Sequence, residues 1–417
     1  MPVQTSLLPI LLAIAAVISL VETHLWRPEG HVQYSSRSIP TRFIIQYHDG
    51  TDAAIRHEHE SQTHAYARSV GGYQGVMRNF QIGRFSAYLG DLGPGHVEEL
   101  RKSPIIKAIH PDAEIYLHAH YPNHSHQNPP PVLPAATAQP NILSTFAANW
   151  GLTRLSHRDP HRPNTSTNGP TLPETGPPRA SWGKNFVNDI NDDQMGHGTH
   201  VAAIIGGRTF GIARNTRLVA LKVFGKQGSG ASASNVIAAL DWACKDTARR
   251  SAQSRSVINL SLGISTLHAL DDAVAAAIQN CSITITTAAG NNNRPASEYS
   301  PAGVPSAITV ASIGLNDTRS SFSNFGPAVD VFAPGEGILS AYPGKSGNET
   351  ATLSGTSMAA PFVAGLAAYV MGLYGPMGPR EMQRVIREWA TEGRVRDARG
   401  SPNRIAFNGN RDELDWK

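Results

Sequence analysis

Over residues 179 to about 409, short apolar strands alternate with helical patterns, and this alternation restricts the fold more than any other feature of the chain. The segments "TRLVALKVF", "SVINLSLG", "SITITTAAG", "AITVASI" and "VDVFAPG" are separated by the helical patterns "SASNVIAALDWACKDTA", "TLHALDDAVAAAIQN" and "TSMAAPFVAGLAAYVMGLY". Strands that are apolar along their whole length need cover on both faces, and helices between them supply the crossovers. The predicted fold class is therefore α/β, a parallel sheet with helices on both sides. Ligands of such sheets bind beyond the carboxyl ends of the strands.

Upstream, residues 38–119 follow a different rule. "TRFIIQYHDG" alternates and ends in a turn, "DAAIRHEHESQTHAYARSV" has the spacing of a polar amphipathic helix, and "GVMRNFQIGRFSAYLGDL" reads as two strands around a glycine. A helix, a proline break and a last strand follow. The order βαββαβ predicts a ferredoxin-like α+β unit. Residues 120–178 hold twelve of the chain's 29 prolines and read as linker, except for the packable "NILSTFAANWGLTRLSH".

At the start, "SLLPILLAIAAVISLV" is an apolar run short for a membrane span and suited to a signal peptide over residues 1–23. No later segment is expected to cross a bilayer. The expected product is a soluble secreted glycoprotein, with sequons at Asn123, Asn164, Asn280, Asn316 and Asn348. A net charge of +4, without Lys/Arg runs or interleaved aromatics, gives no footprint for nucleic acid. Cys244 and Cys281 each close a predicted helix. They could pair, but two buried free thiols are the simpler expectation.

The chemistry gathers at three glycine-punctuated strand ends. "SGTSMAAP" puts Ser357 at the start of a long small-residue helix, where free N–H groups and the helix dipole favour an anion developing beside the hydroxyl. "TTAAGNNN" ends a strand at Asn291, whose amide can donate to the same oxyanion. "GHGTHVA" puts His197 at another helix start, placed to take the serine proton. Any one of these alone is commonly a cap or a turn. Together they supply nucleophile, base and oxyanion donor for acyl transfer.

With "SLG", "SSFSNFGPAVDVFAPG" and "SPNRIAFNG" in the same order, these motifs resemble the subtilisin-like serine proteases (peptidase S8), in particular the secreted fungal proteinase K-like branch. The 38–119 unit resembles that family's inhibitor I9-type propeptide. The resemblance implies a subtilisin-like catalytic domain over 179–409, with His197 as general base, Ser357 as nucleophile and Asn291 as oxyanion donor. It implies that Gly228, Ser229 and Gly230 on one side, and Ser261, Leu262, Gly263 and Ile264 on the other, pair as strand edges with an extended polypeptide. Ile264, where the family usually has glycine, is expected to narrow the S1 pocket. A structural calcium is implied at Pro305, Ala307 and Asp330, although one carboxylate is a thin ligand set for an ion that takes six to eight oxygens. The implied partners are extended polypeptide substrates and the chain's own propeptide, with no nucleic acid or membrane, and the protein is expected to be a monomer.

One part of the pattern is missing. The family's catalytic aspartate stands in a D-T/S-G turn at the end of the domain's first strand, between "WGLTRLSH" and "RASWGKNF"; here that place holds "RDPHRPNTSTNGPTLPETGPP". It contains no apolar run, and Asp159 precedes a proline. Asp189, Asp192 and Asp193 lie upstream of His197 in what reads as a solvated or cation-binding loop. In subtilisin itself, loss of the aspartate alone costs about 3 × 10⁴ in kcat. The expectation is a secreted serine endopeptidase, inactive or strongly impaired as written. The alternative is an inert pseudoprotease or a protease-binding inhibitor.

Overall fold

The computed structural model describes residues 41–117, 150–158, 179–226, 230–344 and 348–410. The expected signal peptide, most of the linker, Asp159, Gly228 and Ser229 lie outside the described residues.

The N-terminal unit runs β1 (Arg42–Tyr47), α1 (Ala53–Val70), β2 (Gly75–Ile82), β3 (Phe85–Asp91), α2 (Pro94–Leu100) and β4 (Ile106–Pro111). Its antiparallel sheet has the order β2-β3-β1-β4. Strand β1 shows how the period of two builds both faces. Phe43, Ile45 and Tyr47 pack with Tyr88, Leu92, Val97 and Leu100 in the unit's own core. Ile44 points the other way, into a second cluster with Phe80, Ile82 and Phe85.

That second cluster is shared with the C-terminal domain. It continues through Ile237, Leu240, Leu270, Val274 and Ile278 of α4 (Ala233–Arg249) and α5 (His268–Cys281). At its rim Lys107 reaches Asp272 at 2.6 Å, Gln46 donates to Asp272 at 2.8 Å, and Arg78 donates to Asn235 at 3.0 Å. Cys244 of α4 and Cys281 of α5 form a disulfide. The free-thiol expectation is thus corrected: the two helices pack side by side, and Cys244, in the second half of α4, meets Cys281 at the end of α5, with Cα atoms 5.5 Å apart.

The C-terminal domain continues through β6 (Ala180–Asn185), α3 (His197–Gly206), β7 (Leu218–Lys222), β9 (Val257–Leu260), β11 (Thr284–Ala288), β13 (Ile308–Ile313), β14 (Val331–Pro334), α6 (Thr356–Tyr374), α7 (Pro379–Trp389), β17 (Thr391–Glu392) and β18 (Arg404–Ile405). Strands β9, β11, β13, β14 and β18 are parallel neighbours in a six-stranded sheet that ends in antiparallel β17. Helix α6 is long and apolar enough to cross a membrane, which the sequence reading had not expected of any later segment. Yet 78% of its apolar window is buried inside the domain, as befits a core helix.

The parallel sheet is interrupted. Strands β6 and β7 pair in parallel with each other as a separate two-stranded sheet. Among the described residues no strand joins β7 to β9. Trp182 and Val219, which a sheet covered on both faces would bury, are 46% and 41% exposed.

Candidate active site and peptide cleft

Ser357 is the second residue of α6 and is fully buried. Its hydroxyl donates to the Ser261 carbonyl at 3.1 Å, while Ser261 Oγ donates back to the Ser357 carbonyl at 2.8 Å. This reciprocal pair ties the helix start to the end of β9. Asn291 follows β11, and its Oδ1 accepts from the Thr356 N–H at 3.0 Å and from Thr356 Oγ1 at 2.8 Å. With the oxygen held there, Asn291 Nδ2 is buried and has no hydrogen-bond partner among the described residues. A buried donor without an acceptor is costly, and an anion beside the first turn of α6 would satisfy it.

His197 opens α3 and is 5% exposed. Helix α3 packs directly on α6. The approach is close at Gly365, where a Cβ would stand 2.9 Å from the Ile205 carbonyl oxygen. Two devices hold α3 from outside. The first is Asp193, whose carboxylate accepts from the N–H groups of Met195, Gly196 and Thr199 and from Thr199 Oγ1, at 2.6 to 3.2 Å. It therefore serves as an N-terminal cap of the His197 helix. In the sequence the 189–193 cluster has the look of a solvated or cation-binding loop, and the structure gives Asp193 this capping contact instead. The signal for a cap, an acidic residue just before a helix start, was present but was read as part of a charge cluster. The loop carbonyls are engaged as well: Lys222 Nζ donates to Ile190 O, Asp192 O and Gln194 Oε1.

The second device is a hairpin that the sequence reading missed, β15 (Ile338–Ala341) with β16 (Thr350–Leu353). His200 Nε2 lies 3.1 Å from both Ile338 O and Ala351 O, so it carries the proton and donates to them. Its Nδ1 is buried without a hydrogen-bond partner among the described residues. Burial pushes the imidazole down to about 4, with the two carbonyl contacts opposing the shift. Ser340 Oγ and Tyr342 OH donate to the carbonyls of His200 and Met195. The Tyr342 ring also explains Gly196, which has φ 79° and where a Cβ would lie 2.2 Å from the ring.

A four-stranded sheet of order β12-β10-β5-β8 lines the cleft. Strands β8 (Ala231–Ser232), β10 (Leu262–Ser265) and β12 (Tyr299–Ser300) belong to the C-terminal domain, whereas β5 (Glu114–Leu117) follows the N-terminal unit. Strand β5 is antiparallel to both neighbours: Glu114 and Ile115 face Ser232 and Ala231, while Tyr116 and Leu117 face Gly263 and Leu262. Among the described residues the pairing on the first side is made by Ala231–Ser232, directly after Gly230, while Gly228 and Ser229 lie outside the described residues. The Gly230 N–H instead donates to Glu114 Oε1 at 2.8 Å. Just before β5, Asp112 accepts from the N–H and hydroxyl of Ser234 at 2.9 and 2.7 Å, adding a carboxylate to the N-terminus of α4. Burial raises that carboxyl above its ordinary value, against the Ser234 hydrogen bonds. Ile264 pairs with Ser300 and is buried among Leu262 and Leu267.

At the implied calcium position, Pro305, Ala307 and Asp330 do converge, but the side chains of Gln383 and Arg387 already occupy their oxygens. The residues present do not fit an ion there. Among the described residues no group of three or more His, Cys, Asp or Glu is placed to hold a metal.

A strand that follows the N-terminal unit pairs between β8 and β10, and a serine and an asparagine amide stand at the adjoining helix start, the arrangement of a serine protease preceded by an inhibitor unit. The comparisons agree. The model of the Subtilase family matches residues 160–407, and that of Peptidase inhibitor I9 matches residues 42–118. Alkaline protease 1 of Aspergillus clavatus is 35% identical, covering 94% of this chain and 96% of its own. Subtilisin-like protease 2 of Pseudogymnoascus destructans is 36% identical over 88% of this chain and 89% of its own. The crystal structure of a cold adapted subtilisin-like serine proteinase superposes with a TM-score of 0.57 at 37% identity, covering 63% of this chain and 98% of that one. The chain belongs to the subtilase family, and it carries an I9 unit before its catalytic domain.

Proposed function

We propose that this chain is the proform of a secreted endopeptidase whose acyl-transfer site is Ser357, His197 and Asn291, and that as written it turns over very slowly. The observation that carries the site is the buried Nδ2 of Asn291, without a hydrogen-bond partner among the described residues, beside the first turn of α6. Ser357 attacks the scissile carbonyl as His197 takes its proton, and Asn291 with the helix N-terminus receives the oxyanion. A substrate segment takes the place that β5 holds between β8 and β10, so that backbone pairing fixes its register. The expected slowness rests on the sequence between residues 158 and 179, which lacks the family's apolar strand and D-T/S-G turn, and on the break between β7 and β9. In the family that aspartate fixes the tautomer of the catalytic histidine and stabilises its imidazolium, and this sequence does not supply it to His197 in the family's place. The same break favours a second reading, an inert relative that keeps the cleft and has lost the chemistry.

The test is expression of the chain beside its Ser357→Ala variant, read by intact mass and by turnover of a chromogenic peptide. The expected result is indistinguishable masses and rates. A third chain, with an apolar strand ending in Asp-Ser-Gly inserted between residues 158 and 179, separates the two readings. Ser357-dependent maturation of that chain supports an endopeptidase lacking one segment, and none supports the inert relative. Efficient Ser357-dependent maturation of the chain as written overturns the expected impairment.

A further inference from the structure

We propose that Gln383 and Arg387 replace a calcium ion, so that the junction of α7 with β13 and β14 is stabilised by an internal cation and does not respond to the metal. Three oxygens face one point: Pro305 O, Ala307 O and Asp330 Oδ1. Gln383 Nε2 stands at that point, 3.0, 2.9 and 3.2 Å from them. One turn further along α7, Arg387 Nε donates to the same Oδ1 at 2.6 Å, and its Nη2 makes an ion pair there as well. The other carboxylate oxygen accepts from the Thr309 N–H at 2.6 Å. Asp330 is 3% exposed and Gln383 is 9% exposed, while Arg387, 42% exposed, reaches the carboxylate from the surface side.

Calcium requires six to eight oxygens at about 2.3–2.6 Å. At this point it would find three, each already facing an N–H. To enter, the ion would have to expel a buried amide and then stand beside a guanidinium, with no second carboxylate to offset the repulsion. Gln383 and Arg387 are four residues apart, hence on one face of α7, and the same face buries Met382 and Ile386. The two side chains therefore fasten the helix to the 305–307 loop and to Asp330 just before β14, a task otherwise open to a metal. Lys222 treats the oxygens of the 190–194 loop in the same way.

The test is the thermal midpoint of the full chain, its Asp330→Asn variant and its Gln383→Ala/Arg387→Ala variant, each in EDTA and in roughly 5 mM calcium chloride, far above the range of tight protein sites. The expected result is the same calcium response in wild type and Asp330→Asn. The Gln383→Ala/Arg387→Ala chain, which exposes the oxygens, is expected to have a lower midpoint in EDTA and to recover part of it in calcium. A midpoint rise in wild type that Asp330→Asn abolishes overturns the proposal. If Asp330→Asn does not fold, the comparison of wild type with Gln383→Ala/Arg387→Ala decides. A larger calcium response in the variant supports the proposal, and a response no larger than that of wild type overturns it.

Discussion

Acid should loosen the helix that carries His197, and the size of the effect can be worked from His200. Its Nε2–H is shared between two carbonyls of the β15–β16 hairpin, and its Nδ1 faces no hydrogen-bond partner among the described residues, so protonation would bury a cation beside an already satisfied donor. Burial holds it near 4, against 6.5 in an open chain. As pH falls the unfolded chain takes up this proton first, so the stability is full above about pH 6.5 and drains away down to about pH 4. Linkage between those two values makes the folded state about 2.5 kcal/mol less stable at about pH 4.5 than at about pH 7.5, through this residue alone. His200→Gln keeps a donor for one carbonyl and cannot titrate. It should cost about 1–2 kcal/mol at neutral pH and then lose less on acidification than wild type, so that the two stability curves converge or cross. Urea unfolding of both chains at several pH values reads the difference directly. Curves that stay parallel from neutral pH to about pH 4.5 would mean that His200 is not held neutral, and the account of the hairpin as its clamp would fail.

Two further perturbations address parts of the fold that the site depends on. Arg154, in the helix over residues 150–156, makes a paired contact with Asp317 at 2.6 and 3.0 Å, both side chains being almost wholly buried; Arg154→Met should cost about 3–5 kcal/mol in urea unfolding, and adding Asp317→Asn, which removes the stranded charge and tolerates the φ of 56° there, should restore part of it, whereas a single-variant cost below about 1 kcal/mol would contradict a buried pair. Ile115 is fully buried between β8 and β10, so Ile115→Asp should free the N-terminal unit to limited proteolysis while leaving the C-terminal domain protected; unchanged protection would show that β5 is not what holds the unit in place.

Much of this architecture is legible in the sequence because it rests on short-range periodicity. The alternation of Phe43, Ile44, Ile45, Gln46 and Tyr47 is enough to predict a strand with two working faces, and the apolar runs at 257–260, 284–288 and 308–313 are enough to predict a covered parallel sheet. The glycine-flanked Ser357, Asn291 and His197 likewise announce themselves as element ends. What stayed hidden depends on contacts across long sequence separations. Nothing local in "REMQRVIREW" says that Gln383 and Arg387 meet Asp330, and nothing near His200 says that hairpin carbonyls 138 and 151 residues later receive its proton. The disulfide was missed for the same reason: pairing depends on how α4 and α5 pack, which two cysteines in sequence do not report. Asp193 is the instructive case, since its role was local and readable as a cap, yet it stood beside Asp192 and near Asp189 and was absorbed into a charge cluster.

The placement of β5 limits what an inert relative could do. Its backbone uses the edges of both β8 and β10, the same N–H and C=O groups that an extended peptide would need. Its anchors extend beyond the strand itself, through Asp112 on Ser234, Gln46 and Lys107 on Asp272, and the apolar cluster shared with α4 and α5. In an intact chain this strand is present at a very high effective concentration, so a peptide in solution competes poorly for the cleft. A peptide-binding role without self-cleavage therefore requires another protease to cut the chain after Leu117 and the N-terminal unit then to leave. An endopeptidase role requires only that the cut be made by Ser357. The two roles share one cleft and differ in which enzyme opens it, so dependence of the first cut on Ser357 separates them before any substrate is known.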